Sequence, residues 1–310
     1  MKKIYNFTHY ILPALLITLT TVGCEKNDDA IDTKGGKSAL VQNIAANTDY
    51  IQSIESEATY NLCNGVEITD ITCTYMLQPT RLIVAVVDLN KNVTVAASSP
   101  GKKTSGISPL ESVPEQAMSA ENAGMNVWLA INGGNFNGTQ AAGLFYKDGI
   151  AIKESADPGE DNCVVVTRDG KVRICSVSDF LVLKKQAVHA IGGAQRLLED
   201  GQLGTFMADD STMELQARTF VGTNADASKF YIFIVEGSTP EQSTGIRLKD
   251  AMYICQGAGC YQATNLCGDI YTTLAVRKET TSGVEFNTLN RQQQSIPQDI
   301  LNGLLIINKQ

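Results

Sequence analysis

Val127-Trp128-Leu129-Ala130-Ile131-Asn132-Gly133-Gly134-Asn135-Phe136-Asn137 is an apolar run that loses its side chains at two consecutive glycines. The run has strand composition, and a strand that leaves its sheet through Asn-Gly-Gly lets its backbone approach another group closely. Two readings of the exit are open. The glycines either expose amides to a bound group, or they supply loop geometry while the asparagines cap backbone groups.

Working outward, Ser112-Val113-Pro114-Glu115 has capping-box spacing, with proline in the first turn, and Gly124 supplies a stop. A helix therefore precedes the central strand. Downstream, residues 143–152 form a hairpin around Asp148-Gly149, and residues 163–175 form another around Asp169-Gly170. Residues 217–222 and 230–237 read as a further strand pair. The buried run at residues 82–87 turns through Asn90-Lys91-Asn92 into residues 93–97, which reads as a hairpin. A second clear helix spans about 248–256 and stops at Gly257-Ala258-Gly259, and a weak helical pattern covers 38–60. Many strands, short connections and two or three helices predict an α+β fold with a mostly antiparallel or mixed sheet.

The N-terminus has the character of a targeting segment. Lys2 and Lys3 precede a short apolar run, and Thr21-Val22-Gly23-Cys24 resembles a bacterial lipobox, with threonine where leucine is usual. The expectation is a signal peptide over 1–24 with lipidation at Cys24, or an ordinary secretory signal cut nearby. A polar tether follows over 25–37, then a helical extension over 38–80 that includes a Cys63/Cys73 loop, and a main domain over 81–310. That organisation describes an exported, outer-membrane lipoprotein of a Gram-negative bacterium, touching the membrane only through its anchor and facing the periplasm or the cell surface. Loss of Lys2 and Lys3 takes the formal charge from -8 to -10, which disfavours nucleic acid as a partner.

Seven cysteines remain besides Cys24. In an exported chain disulfides are the default, and the pairs expected are Cys163 with Cys175, Cys63 with Cys73, and Cys260 with Cys267. The rival, a metal site, lacks any Cys-x-x-Cys, and His189 is the single histidine beyond the signal.

Several motifs fall in one order: Asn-Gly-Gly-x-Phe at 132–136, Gly-Leu-x-x-x-Asp-Gly at 143–149, Gly-Gly-x-x-x-Leu at 192–197, Arg-Thr-x-x-Gly at 218–222, an apolar strand into Glu236-Gly237, a helix, and Asn-Leu-x-Gly at 265–268. The series resembles the phosphodiester glycosidase family over roughly residues 82–276. The family's closing Asn-Leu-Asp-Gly-Gly-Gly-Ser-Ser reads here Asn265-Leu266-Cys267-Gly268-Asp269-Ile270-Tyr271-Thr272, so an aspartate has become Cys267, and glycine-rich backbone has become Asp269 and Ile270.

The resemblance implies a hydrolase that releases sugar and phosphomonoester from a phosphorylated glycan or other sugar phosphodiester. Arg218 would clamp the phosphate, since a guanidinium fork matches two of its oxygens. The amides of Gly133 and Gly134 would add fixed donors, and Asn132, Asp148, Asn265 and Gly268 would line the substrate. Glu236 and Asp269 are the acid and base candidates, because each ends an apolar stretch where burial raises a carboxyl pKa, and His189 joins them as the single histidine beyond the signal, close to Gly192-Gly193, with a structural role as its alternative. No cofactor is required. Asp148, Glu236 and Asp269 have the oxygens to hold a divalent cation, but nothing in their spacing demands one. The rival function is a surface glycan-binding lipoprotein that keeps the fold but lost its chemistry at Cys267.

Overall fold

The computed structural model describes residues 33–205, 209–239, 241–294 and 296–309. The expected signal segment, Cys24 and most of the tether lie outside the described residues.

The strand Lys229–Val235 shows how the core is built. Phe230, Ile232 and Ile234 point into one apolar cluster, while Tyr231, Phe233 and Val235 point into another on the opposite face. A strand covered on both faces cannot alternate apolar with polar, which is why its sequence reads as one unbroken run. Residues 82–87 and 304–307 follow the same rule. Each fully buried aromatic or branched side chain contributes roughly 1.5–3 kcal/mol.

Three antiparallel sheets share the central cluster. The largest runs, in spatial order, Ile51–Cys63, Val66–Tyr75, Gln78–Asp88, Lys229–Val235, Arg218–Thr223, Gln262–Asn265, Arg196–Glu199 and Gln202–Leu203. The second places Val127–Asn132 between Leu274–Thr280 and Gly303–Asn308, with Gly283–Thr288 and Val93–Ser98 at its edges. The third orders Ile150–Lys153, Phe145–Lys147, Ala187–Gly193, Asn162–Thr167 and Val172–Ser176. Each outer face carries its own helical cover. Ala39–Ala46 and Leu248–Gly257 lie on the first sheet, Val113–Asn122 on the second, and Val177–Leu183 on the third through Phe180. With Asp210–Met213, five α-helices are described, so the count of two or three is corrected upward, while the α+β class and the antiparallel sheets stand. Among the described residues no helix is long and apolar enough to cross a membrane.

Local signals gave local structure. The Glu115 carboxylate accepts from the Ser112 amide at 2.8 Å, and Gly124 follows the helix with φ 86°. Asp148 and Gly149 take φ 53° and 77° at the hairpin tip, the left-handed pair that a two-residue turn requires. Three expectations fail where partners are distant in sequence. The helix expected over 38–60 ends at Ala46, and Ile51 and Ile54 lie on the long edge strand Ile51–Cys63. Residues 82–87 and 93–97 do not pair, because their strands enter different sheets. Cys63 faces Val66 while Cys73 faces Ile54 farther along the same ladder, so the two thiols are too far apart to bridge.

Among the other cysteines, Cys163 and Cys175 sit directly opposite each other, with sulfurs 3.8 Å apart. The thiol beside Cys260 is that of Cys255, not Cys267. All seven described cysteines are free thiols in this structure.

The Asn-Gly-Gly exit is where the three sheets meet. The Gly133 amide donates to the Asn302 carbonyl at 3.0 Å, and the Gly134 amide donates to Asn302 Oδ1 at 2.9 Å. Both amides are therefore spent on the protein, and the glycines serve close approach: a Cβ on Gly134 would stand 2.3 Å from the Gly192 carbonyl oxygen. Gly134→Ala should lower the unfolding free energy by about 3 kcal/mol, because backbone and not a flexible side chain would have to yield. A urea titration measures it, and an unchanged midpoint would show that the junction is loose.

Candidate active site

The strands Arg218–Thr223 and Gln262–Asn265 are antiparallel neighbours with Phe220 opposite Asn265. Beyond that register the chains stay together: the Leu266 amide donates to the Thr219 carbonyl at 2.9 Å, and the Asp269 amide to the Ala217 carbonyl at 2.9 Å. Arg218, Asn265, Gly268 and Asp269 thus emerge side by side at the end of the largest sheet. Loops of the third sheet face them, carrying Glu160 ahead of Asn162–Thr167 and Gln195 just after Ala187–Gly193. Together they line a cleft of about 490 Å³, with Asn135, Cys267 and Tyr271 completing its wall.

Arg218 is buried and aimed. Its Nη2 donates to the carbonyls of Ser211 at 2.7 Å and Glu214 at 3.1 Å, and its Nε to that of Ile246 at 3.4 Å. Nη1 has no hydrogen-bond partner among the described residues. Burial lowers the pKa of this guanidinium, and the Glu214 and Asp269 carboxylates oppose that shift. Among the described residues no carboxylate is bonded to it, and its hydrogen bonds go to neutral carbonyls, which suits an arginine that must still receive an anion.

Glu160 is the residue that sequence reading missed. It is 6% exposed, its Oε1 accepts from Asn135 Nδ2 at 2.6 Å, and its enclosed Oε2 has no partner among the described residues. Burial raises its pKa; the Asn135 bond lowers it, and Asp157 and Asp161 push it further up. Asp157-Pro158-Gly159-Glu160-Asp161 reads locally as a solvated acidic turn. The available signal was position: this acid sits after a Pro-Gly turn and just ahead of the unbroken apolar run at 163–166.

Asp269 lines the same cleft from the solvent side, in a short 3₁₀ turn at φ 55°, and its Oδ1 accepts from Gln293 Nε2 at 2.8 Å. Cys267 is buried next to Glu160, and burial, with the Glu160 charge adding to it, pushes the thiol up to about 12. It is a protonated thiol at neutral pH, not a nucleophile. Asn265 is 8% exposed; its Nδ2 donates to Gln195 Oε1 at 3.2 Å, and its enclosed Oδ1 has no donor among the described residues.

The other expected residues lie elsewhere. Asn132 is fully buried beneath the cleft: Oδ1 accepts from Thr219 Oγ1 at 2.8 Å and the Thr273 amide at 3.1 Å, and Nδ2 donates to the Cys267 carbonyl at 2.6 Å. It braces the cleft floor. Glu236 is buried against Arg81, which also forks onto Asp70 at 2.9 and 2.6 Å, and it accepts from the Arg291 amide at 2.6 Å. Asp148 pairs with Lys147 at 2.8 Å on the third sheet, where its amide donates to His189 Nδ1 at 3.3 Å. Asp148, Glu236 and Asp269 therefore point to three different places, and among the described residues no group of three His, Cys, Asp or Glu side chains could hold a metal ion.

The sequence model of one protein family, described as phosphodiester glycosidase, matches residues 125–307, from just before the central strand to its neighbour Gly303–Asn308. No curated protein matches the chain in sequence. Among solved structures, the fold is similar to the catalytic domain of zebrafish N-acetylglucosamine-1-phosphodiester alpha-N-acetylglucosaminidase, auto-inhibited by its pro-peptide. That likeness has a TM-score of 0.59 at 18% identity, covering 82% of this chain and 88% of that one. A hypothetical protein from Synechocystis gives a TM-score of 0.59 at 10% identity over 83% of this chain and 65% of the other. A protein from Burkholderia pseudomallei described as exported gives 0.55 at 10% identity, over 83% and 97%.

Two titrations follow from this geometry. The pKa of His189 is pulled down to about 4, chiefly by burial, with Lys147 adding to the fall and Asp148 opposing it. The unfolded chain therefore binds a proton first, and up to ~3 kcal/mol of stability should be lost as pH falls from about 6.5 to 4. His189→Gln should flatten that part of the stability profile; an unchanged acid slope would contradict the assignment. For Glu160 the sign is opposite. Its raised folded pKa makes ionisation cost stability as pH rises, so Glu160→Gln should raise the melting temperature at pH 7 and leave it nearly unchanged at pH 3. Equal shifts at both pH values would place the carboxyl in an unperturbed setting.

Proposed function

The chain belongs to the phosphodiester glycosidase family, and we propose that it hydrolyses a sugar phosphodiester in the cleft shared by Arg218, Glu160 and Asp269. The observation that carries this reading is a buried arginine, hydrogen-bonded to neutral carbonyls, lining the same cleft as a buried carboxyl whose pKa is raised by burial. One presents charge for a phosphate, and the other takes or gives a proton.

The chemistry assigns the roles. A phosphomonoester leaves readily from an anomeric carbon, because its second pKa is near ~6, and it needs charge stabilisation more than protonation. Arg218 supplies that stabilisation through Nη1. The attacking water must lose a proton, and a carboxylate with a raised pKa is the stronger base for it. In this mechanism Glu160 takes the proton as the water oxygen bonds to the anomeric carbon. The carbon–oxygen bond to phosphate breaks, and its electron pair stays on the phosphate. Glu160 then returns its proton to solvent. Asp269, at the mouth and two residues beyond the position where the family aspartate has become Cys267, would orient the water or the sugar. Glu236 and His189 support the sheets that hold this cleft.

The setting is part of the proposal. The signal-like segment at 1–24, with Cys24 as the lipidated residue, would tether the enzyme to the outer membrane, where a phosphorylated glycan is the accessible substrate class. Such a compartment is oxidising, and the facing thiols of Cys163 and Cys175 would bridge there. The buried Cys267 thiol favours one rival, a glycan-binding protein without turnover.

Release of free sugar and phosphomonoester from a panel of glucose, galactose, mannose and N-acetylglucosamine 1-(methyl phosphate) diesters tests the reading. Arg218→Ala and Glu160→Gln should each lower kcat by about 10²–10⁴ while the fold survives. Binding of the panel without turnover by the unaltered protein would favour the rival.

A further inference from the structure

Cys255 and Cys260 occupy two fixed places in one helix ending. The helix Leu248–Gly257 stops through Gly259, at φ 88°. The Gly259 amide donates to the Gln256 carbonyl at 3.0 Å, and the Cys260 amide donates to the Cys255 carbonyl at 3.0 Å. These two bonds are a Schellman closure, in which the residue after the left-handed glycine touches the one five positions before it. Here both contact positions are cysteine. Their side chains belong to one apolar cluster, Cys255 fully buried and Cys260 nearly so, and the two thiols are neighbours. A Cβ on Gly222 would stand 2.5 Å from Cys260 Sγ, so that sulfur rests against the strand Arg218–Thr223 at a point where only glycine leaves room.

We propose that Cys255 and Cys260 form a disulfide across this helix ending. It fastens the far end of the helix that starts at the cleft with Leu248 to the strand that returns to the cleft with Asn265. The backbone bond between the two residues already holds their α-carbons in the range a disulfide spans. Cys267 is no rival for Cys260, because the extended strand Gln262–Asn265 between them covers roughly 13 Å. With oxidised glutathione as electron acceptor, one thiolate attacks its disulfide and displaces one glutathione. The second thiolate attacks the mixed disulfide and displaces the other. One sulfur–sulfur bond forms in the protein, and two electrons and two protons end on two reduced glutathiones. Burial raises the Cys255 thiol pKa well above its ordinary value, so this exchange belongs to the folding chain, before the helix seats. The bridge is independent of what the cleft hydrolyses.

The full chain, unfolded with reductant and refolded over a series of reduced-to-oxidised glutathione ratios, tests this. Free thiols are alkylated in denaturant; bridged ones are then reduced and given a second label. Cleavage after Tyr253 and Tyr261 isolates residues 254–261, which hold Cys255 and Cys260 without Cys267. Both should carry the second label at oxidising ratios, and Cys267 the first. The second label on Cys260 and Cys267 with the first on Cys255, or the first label on Cys255 and Cys260 at every ratio, overturns the bridge. Melting supplies an independent readout. Reductant should lower the melting temperature of the oxidised chain by about 5 °C more than that of the double variant Cys255→Ala, Cys260→Ala. An equal effect on both proteins would mean two thiols in apolar contact alone, and would overturn the proposal.

Discussion

The buried amide of Asn132 is the contact on which the site depends. Through three short hydrogen bonds it joins Thr219 of the largest sheet, Thr273 at the head of the strand Leu274–Thr280, and the Cys267 carbonyl in the cleft floor. A fully buried amide must have its donors and acceptor satisfied, so the three segments have little freedom to move independently. The glycines that follow allow the same closeness on the next turn of chain, where Asn302 fills the space that a side chain would take. The functional cleft is a consequence of this junction. Arg218 next to Thr219, and Asn265 and Asp269 on either side of Cys267, take their positions from the segments the brace holds.

Rigidity below permits incomplete bonding above. In the residues lining the cleft, one arginine nitrogen, one carboxylate oxygen and one amide oxygen lack partners among the described residues, while their other polar atoms are hydrogen-bonded. A protein keeps such groups only where surrounding structure supports the cost. The Arg81 network differs in its charges: Glu236 Oε2 also lacks a partner there among the described residues, but Asp70 and Glu236 neutralise one guanidinium from two sides, so its role is to join strands of the largest sheet.

What the sequence made legible was what short stretches of chain decide. The Ser112–Glu115 capping box, the Asp148-Gly149 turn and the facing cysteines 163 and 175 all depend on neighbours within a dozen residues. The unbroken runs marked strands buried on both faces but not which sheet each would join, which is how 82–87 came to be paired with 93–97. The site was half legible. Arg218, Asn265, Gly268 and Asp269 lie in two adjacent strands and their extensions, within the family motifs. Glu160 was hidden because its burial comes from residues elsewhere in the chain, while the local acidic turn speaks of solvent. Glu236 misled for the same reason, since the arginine that neutralises it is 155 positions away.

The central claim is that water attacks the sugar carbon while Arg218 holds the departing phosphate. Hydrolysis in ¹⁸O-labelled water, with the phosphomonoester followed by ³¹P resonance, tests it most directly. The account predicts that the label enters the sugar and that the phosphorus signal shows no isotope shift. An isotope-shifted phosphomonoester would mean attack at phosphorus, and would contradict the roles assigned to Arg218 and Glu160.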